Sequence, residues 1–239
     1  MVTHDSNTQH ISAQFDHELE EIKARMLEMG GMVEQQVSSA VHSLVEKDPD
    51  QAERVVSRDH DVNMLEVEID DDCSRILARR QPTASDLRLV LAISKAISDL
   101  ERIGDEAAKI ARQSITLCEE GASPSGYVEL RHIGNHVAGM VHDALDAFAR
   151  LDVDMAIQVA KEDSQVDKEY GSAMRSLMTY MVEDPRVIGS VLKEMWALRA
   201  LERVGDHACN IAEYVIYLVK GLDVRHLEIS DLIAQLEEK

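Results

Sequence analysis

The chain repeats itself, and that repeat constrains its fold more than any other feature. Asp50-Gln-Ala-Glu-Arg-Val-Val-Ser-Arg-Asp59-His-Asp-Val62-Asn63 aligns with Asp154-Met-Ala-Ile-Gln-Val-Ala-Lys-Glu-Asp163-Ser-Gln-Val166-Asp167, each residue 104 positions after its counterpart. Leu100-Glu-Arg-Ile-Gly-Asp105-Glu-Ala-Ala-Lys-Ile-Ala111 aligns with Leu201-Glu-Arg-Val-Gly-Asp206-His-Ala-Cys-Asn-Ile-Ala212, at 101 positions. The three-residue change falls around Pro82 and Pro185, where a turn tolerates it. A unit of this length is a duplicated domain, not one repeat of a 20–50-residue array.

Within each copy the apolar residues recur at helical spacing. Ile93, Ala96, Ile97, Leu100, Ile103, Ala107, Ile110 and Ala111 make one stripe at the i, i+3, i+4, i+7 period. Prolines 49, 82, 124 and 185 punctuate the chain, because proline removes a backbone donor and clashes with the preceding helical turn. Thr83-Ala84-Ser85-Asp86 reads as a capping box, and Asp184-Pro185 as an N-cap acid followed by proline. Gly121 and Gly221 are placed to end helices. The repeat supplies one further break, at Leu151-Asp152 opposite Lys47-Asp48. The spacing thus predicts helices over 12–46, 50–79, 84–120, 127–150, 154–182 and 186–220, with looser ends. The fold class is all-α: two tandem antiparallel three-helix bundles, 12–121 and 125–223.

Composition narrows the function classes. Asp and Glu number 45 against 25 Lys and Arg, a formal net charge of −20. That weighs against a sequence-blind nucleic-acid binder and a polybasic membrane anchor, both of which need cations. No apolar run approaches the ~18 residues of a membrane span, and the polar N-terminus lacks a secretory h-region. Cys73, Cys118 and Cys209 stand apart, as free thiols in a reducing compartment would. The expected address is the cytoplasm.

Register singles out the acids that carry chemistry. Glu101/Asp105 and Glu202/Asp206 are i, i+4 pairs, each on one helix face. Folding back at Pro82 brings Asp59 and Asn63 level with Asp105 and Glu101, ~30 Å from the turn at ~1.5 Å per residue. Folding back at Pro185 brings Asp163 and Asp167 level with Asp206 and Glu202. His142 and Asp143 fall level with Asp163; Ser38 and Ser39, with Glu34 a turn away, hold that level in the first copy. Gly104 and Gly205, each costing a helix about 1 kcal/mol, imply close helix approach or room for a ligand. Crowded carboxylates repel unless a cation or protons neutralise them, and all-oxygen donors suit hard cations. The expected metal ligands are Asp59, Asn63, Glu101, Asp105, Asp163, Asp167, Glu202, Asp206, His142 and Asp143. The second copy, with Asp167 where the first has Asn63, is expected to bind metal more tightly. His207 points away from Asp206 and is not assigned.

No nucleotide fingerprint, P-loop, nucleophile elbow or zincin motif is present, and the lone E-x-x-H, Glu129 to His132, has no partner. A carboxylate-bridged metalloenzyme or phosphatase and a plain helical scaffold are the alternatives to a binding protein.

The repeated L-E-R-[IV]-G-D-x-A-x-x-I-A stretch, with residues 80–88, 143–148 and 177–181, resembles the PhoU family from about Phe15 to about Arg225. The resemblance implies two tandem three-helix bundles and an E(D)-x-x-x-D signature at Glu101/Asp105, Glu202/Asp206 and Asp163/Asp167, with Asp59/Asn63 departing by one Asn. It implies a multinuclear cluster of a hard divalent or ferric cation (Fe, Mn, Mg or Zn). It also implies a non-enzymatic, cytoplasmic negative regulator of phosphate uptake and of the phosphate-starvation response. Such a protein bridges the ATPase subunit of the phosphate-specific ABC transporter to the sensor histidine kinase PhoR, and is a homodimer.

Overall fold

The structure is a computed structural model that describes residues 4–120 and 127–224. Among these residues it has six α-helices: α1 (His4–Glu46), α2 (Pro49–Arg80), α3 (Ala84–Glu120), α4 (Val128–Arg150), α5 (Val153–Glu183) and α6 (Ile188–Lys220). There is no strand among the described residues. The helix ends fall close to those the spacing predicts, except that α1 starts at His4, not at residue 12. Gly121 lies outside the described residues.

The two copies use the same local chemistry at the same places. Asp48 caps α2 by accepting from the Gln51 amide at 2.9 Å, and Asp152 caps α5 by accepting from the Met155 amide at 3.0 Å. Each follows a left-handed residue, Lys47 (φ 58°) and Leu151 (φ 57°), which ends the previous helix and turns the chain. The second turns differ. At Pro82 the chain reverses through Gln81 (φ 50°) and Ala84 (φ 50°). At Pro185 the Asp184 carboxylate accepts from the Arg186 amide, and a 3-10 turn over Pro185–Val187 precedes α6. The change of offset between the repeats therefore has a structural cause: the first copy spends Gln81, Pro82 and Thr83 between α2 and α3, whereas the second passes from α5 through Asp184 alone into the 3-10 turn. Gly221 (φ 70°) closes α6, as its position in the sequence implies.

The α3 stripe is wholly buried: the eight residues from Ile93 to Ala111 that define it are 0–1% exposed. Burying one such Ile or Leu contributes about 1.5–3 kcal/mol. Helices α1, α2 and α3 pack on one another, and so do α4, α5 and α6. The bundles meet along α3 against α6 and α1 against α4, leaving α2 and α5 mainly on the outer flanks.

This seam has its own twofold logic. A Cβ on Gly30 of α1 would stand 2.4 Å from Leu145 of α4, and one on Gly134 of α4 would stand 2.6 Å from Val41 of α1. Gly134 and Leu145 are the repeat counterparts of Gly30 and Val41, so α1 and α4 cross antiparallel with each glycine receiving the other copy's side chain. Along α3 and α6 the residue after the signature Asp reaches across. Glu106 pairs with Arg203 at 2.9 Å, and His207 Nδ1 lies 2.8 Å from Asp99.

Candidate functional site

The Pro82 and Pro185 turns set α2 beside α3 and α5 beside α6, and the acids chosen by register gather in two shelves. In the first, Asp59 is 8% exposed. Burial first, and the Asp105 charge second, hold its carboxyl above the ordinary range. Glu101 is raised by burial and then by Asp105, Glu66 and Asp59. In the second, burial and then Asp206 and Asp167 push Asp163 up to about 6. Asp206 is raised by burial and then by Asp167. Glu202 is raised by burial and then by Asp206, with Asp167 and Asp163 adding to it and Arg199 opposing. Asp59, Glu101, Asp163, Glu202 and Asp206 each feel at least one other acid of their shelf because they share one face, as the i, i+4 spacing and the antiparallel register require.

The glycines of the signature make the room. A Cβ on Gly104 would lie 3.1 Å from Gln36 Oε1 and 3.5 Å from Asp59 Oδ1; one on Gly205 would lie 3.6 Å from Val137 and Val166 and 3.8 Å from Asp163 Oδ1. Both glycines are buried between their own helix and two neighbours.

Register alone does not reveal two members of these shelves. Glu66, on α2, adds a carboxylate beside Glu101, and Ser98 Oγ donates toward it at 3.5 Å. Arg199, on α6, donates to Glu202 Oε1 and lies 6.0 Å from the centre of the Tyr170 ring. Ser98 and Glu66 are the repeat counterparts of Arg199 and Tyr170, so the same pair of positions carries an anion in one copy and a cation in the other. His142, on α4, turns to α1, where its Nδ1 lies 3.1 Å from Glu34 Oε1. Asp143, one residue on, is part-buried. His207 joins a buried network in the seam: Asp99 Oδ1 accepts from Asn210 Nδ2 at 3.1 Å, and Asp99 Oδ2 accepts from the Tyr214 hydroxyl at 2.7 Å.

Among the described residues, no three His, Cys, Asp or Glu side chains converge in an arrangement ready to hold a metal ion. The donor chemistry nonetheless fits a hard cation. Asp59 Oδ1, Asn63 Oδ1 and Glu202 Oε2 are buried without a hydrogen-bond partner. An unpaired buried oxygen is costly, and a cation drawn toward these oxygens relieves both that cost and the mutual repulsion. One thiol, that of Cys209, lies near enough to the second shelf to feel Asp163 and Asp206. Cys73 and Cys209 are free, with thiols pushed up by burial, to about 12 for Cys73.

The PhoU domain family model matches residues 26–114 and 130–215, one match in each bundle. The chain is 58% identical to the phosphate-specific transport system accessory protein PhoU homolog of Pseudomonas putida, over 99% of this chain and 93% of that one. It is 50% identical to the phosphate-specific transport system accessory protein PhoU of Escherichia coli K12, over 94% of each. Among solved structures, that of PhoU from Pseudomonas aeruginosa superposes with a TM-score of 0.86 at 59% identity, covering 87% of this chain and all of that one. The phosphate transport system regulatory protein PhoU from Streptococcus pneumoniae superposes at 0.80 with 33% identity, covering 87% of this chain and 98% of that one.

Proposed function

The chain belongs to the PhoU family, and from that membership we propose that it is an accessory protein of phosphate-specific transport that acts by binding, not by catalysis. The observation that carries this reading is the family match to both halves of the chain, joined by high identity to accessory proteins of that system along almost the full length. In this role the protein damps phosphate uptake and holds down the starvation response when phosphate is plentiful. It does so as an adaptor between the transporter's ATPase subunit and the sensor histidine kinase PhoR, working as a homodimer in the cytoplasm. No helix among the described residues is long and apolar enough to cross a membrane, so association with membrane partners runs through surface contact.

The residues that would hold the cation are Asp59, Asn63, Glu101 and Asp105 in the first shelf, and Asp163, Asp167, Glu202 and Asp206 in the second; Glu66 adds a donor to the first. Asp143 is a further candidate donor to the second shelf, and His142 would join it only by turning away from Glu34 on α1. A bound hard cation (Fe, Mn, Mg or Zn) supplies positive charge that offsets carboxylate repulsion. The chain's own part is to hold those oxygens level and to present the outer faces of α2 and α5. A net charge of −20 suits docking on basic surfaces, with a strength that falls as salt screens it.

A deletion strain tests the regulatory reading: alkaline phosphatase expression in rich phosphate is expected to become constitutive, and unchanged repression would refute it. Pull-down of the transporter ATPase and the kinase, with and without chelator, tests the role of metal. Equal recovery in both removes metal from the docking.

A further inference from the structure

A groove on the α1–α2 face has a chemistry that the acidic shelves do not use. Its volume is about 410 Å³, within the ~300–1,000 Å³ typical of small-molecule sites. Arg54 and Arg58, i and i+4 on α2, line it, and neither guanidinium forms an ion pair among the described residues, although the chain carries a net charge of −20. The Gln36 side chain, 5% exposed, forms part of the lining, and neither its Nε2 nor its Oε1 has a hydrogen-bond partner. Ser39 adds a hydroxyl, and Met32 and Val55 an apolar wall. Asp61 is the single acid in the lining.

The second bundle is an internal control. The counterparts of Arg54, Arg58, Gln36 and Ser39 are Gln158, Glu162, Met140 and Asp143. There Gln158 Nε2 donates to Glu162 Oε1 at 3.4 Å, and the cations and the orphaned amide are gone. The donor set is thus a property of one face of one copy and not of the duplicated fold.

We propose that this groove binds a small phosphorylated molecule. Arg54 and Arg58 grip its tetrahedral oxyanion, the Ser39 hydroxyl and a Gln36 amide turned outward from its place beside Gly104 complete the donor set, and Met32 and Val55 receive its organic body. Two guanidinium forks match the geometry of a phosphate group, and a buried unpaired amide has most to gain from a ligand acceptor. Gln36 also stands over Gly104 beside Asp59, so it forms a common wall between the groove and the first acidic shelf.

The test is calorimetric titration of the full chain, stripped with chelator so that the shelves hold no cation. The probes are adenosine 5′-monophosphate, inorganic phosphate and adenosine. Saturable binding of the monophosphate is expected, weakened at least about tenfold for adenosine and again for Arg54→Gln with Arg58→Gln. Gln36→Leu is expected to weaken it too, while Arg79→Gln, a surface control, leaves it unchanged. Circular dichroism and melting of each variant keep loss of fold separate from loss of binding. Inorganic phosphate binding as tightly as the monophosphate upholds the oxyanion grip and assigns the source to free phosphate. The proposal is overturned by no saturable binding at millimolar probe, by adenosine binding equally well, or by the double arginine variant binding as the parent does. These outcomes do not bear on the regulatory reading, which stands or falls on the deletion strain.

Discussion

The two acidic shelves descend from one sequence pattern yet balance charge differently. The first replaces one acid by Asn63 but gains Glu66, and the orphaned Gln36 amide faces it. The second keeps Asp167 but places Arg199 against Glu202. Counted by charge, the first gathers Asp59, Glu66, Glu101 and Asp105 with Arg112, Lys109 and Arg102 opposing, and the second gathers four carboxylates with Arg199 and Arg203 opposing. The expectation that the second shelf binds metal more tightly rests on Asp167 in place of Asn63 and on His142 and Asp143 at the level that Ser38 and Ser39 hold in the first copy; Glu66 at the first shelf and Arg199 at the second oppose it. Duplicated sites diverge at the rim, where one substitution changes the field without disturbing the helix contacts that hold the shape.

The sharpest break comes from deleting one shelf at a time. Asp163→Asn with Asp206→Asn is expected to weaken cation binding at the second shelf on the order of a hundredfold or more, two charge-assisted contacts being lost. Asp59→Asn with Asp105→Asn should do the same at the first, so that stoichiometry by equilibrium dialysis and elemental analysis falls by one shelf in each case. An undiminished stoichiometry in either double variant removes that shelf from metal binding.

Next in size is a pH effect. Asp163 ionises at about 6 in the folded chain against 3.8 unfolded, so the native state holds the extra proton between those values. Stability of the chelated protein should therefore fall as pH rises from about 4 to 6, by about 1–3 kcal/mol from this group. Urea titration across that window checks it, and Asp163→Asn should flatten the curve. Because the same proton competes with a cation, metal affinity at the second shelf should drop below pH 6. A flat stability profile in the parent contradicts the crowding described for this shelf.

Rim charge should tune what the core acids set. Arg199→Gln frees Glu202, and Asn63→Asp restores the missing acid; each is expected to tighten its own shelf by about tenfold, a charge-assisted contact being worth about 1.5 kcal/mol or more. Site-resolved metal titration of the two variants measures it. If Arg199→Gln leaves the second shelf unchanged while Asn63→Asp tightens the first, position 63 alone governs the difference.

The smallest contrast lies in the glycines. Gly205→Ala meets only ordinary contacts near 3.6 Å and should be neutral or gain up to about 1 kcal/mol from helix propensity. Gly104→Ala pushes Gln36 from 3.1 Å and should forfeit that gain. Paired thermal melts decide, and an equal response would mean that Gln36 moves aside freely.

Much of this was legible in the residues. The repeat, the prolines and the helical stripe locate six helices, and counting outward from Pro82 and Pro185 pairs Asp59 with Asp105 and Asp163 with Asp206. What stayed hidden depends on how one copy sits against the other. Asp99 and His207 lie 108 residues apart on stripes that look self-sufficient, and only the α3–α6 crossing makes them partners. The Glu34–His142 contact is hidden for the same reason, since it spans α1 and α4. Glu66 and Arg199 lie about a turn from the signature acids, among many similar charges, so nothing in their spacing marks them. The early start of α1 has no cue in proline or glycine, because neither occurs before Gly30.

The mutual notches of Gly30 and Gly134 carry a consequence for motion. With each rod socketed into the other, α1 cannot slip lengthwise past α4 without dislodging Leu145 and Val41 together. Relative motion of the two halves is then confined to tilt or twist about the dovetail, which leaves every register intact while swinging the far ends of α2 and α5.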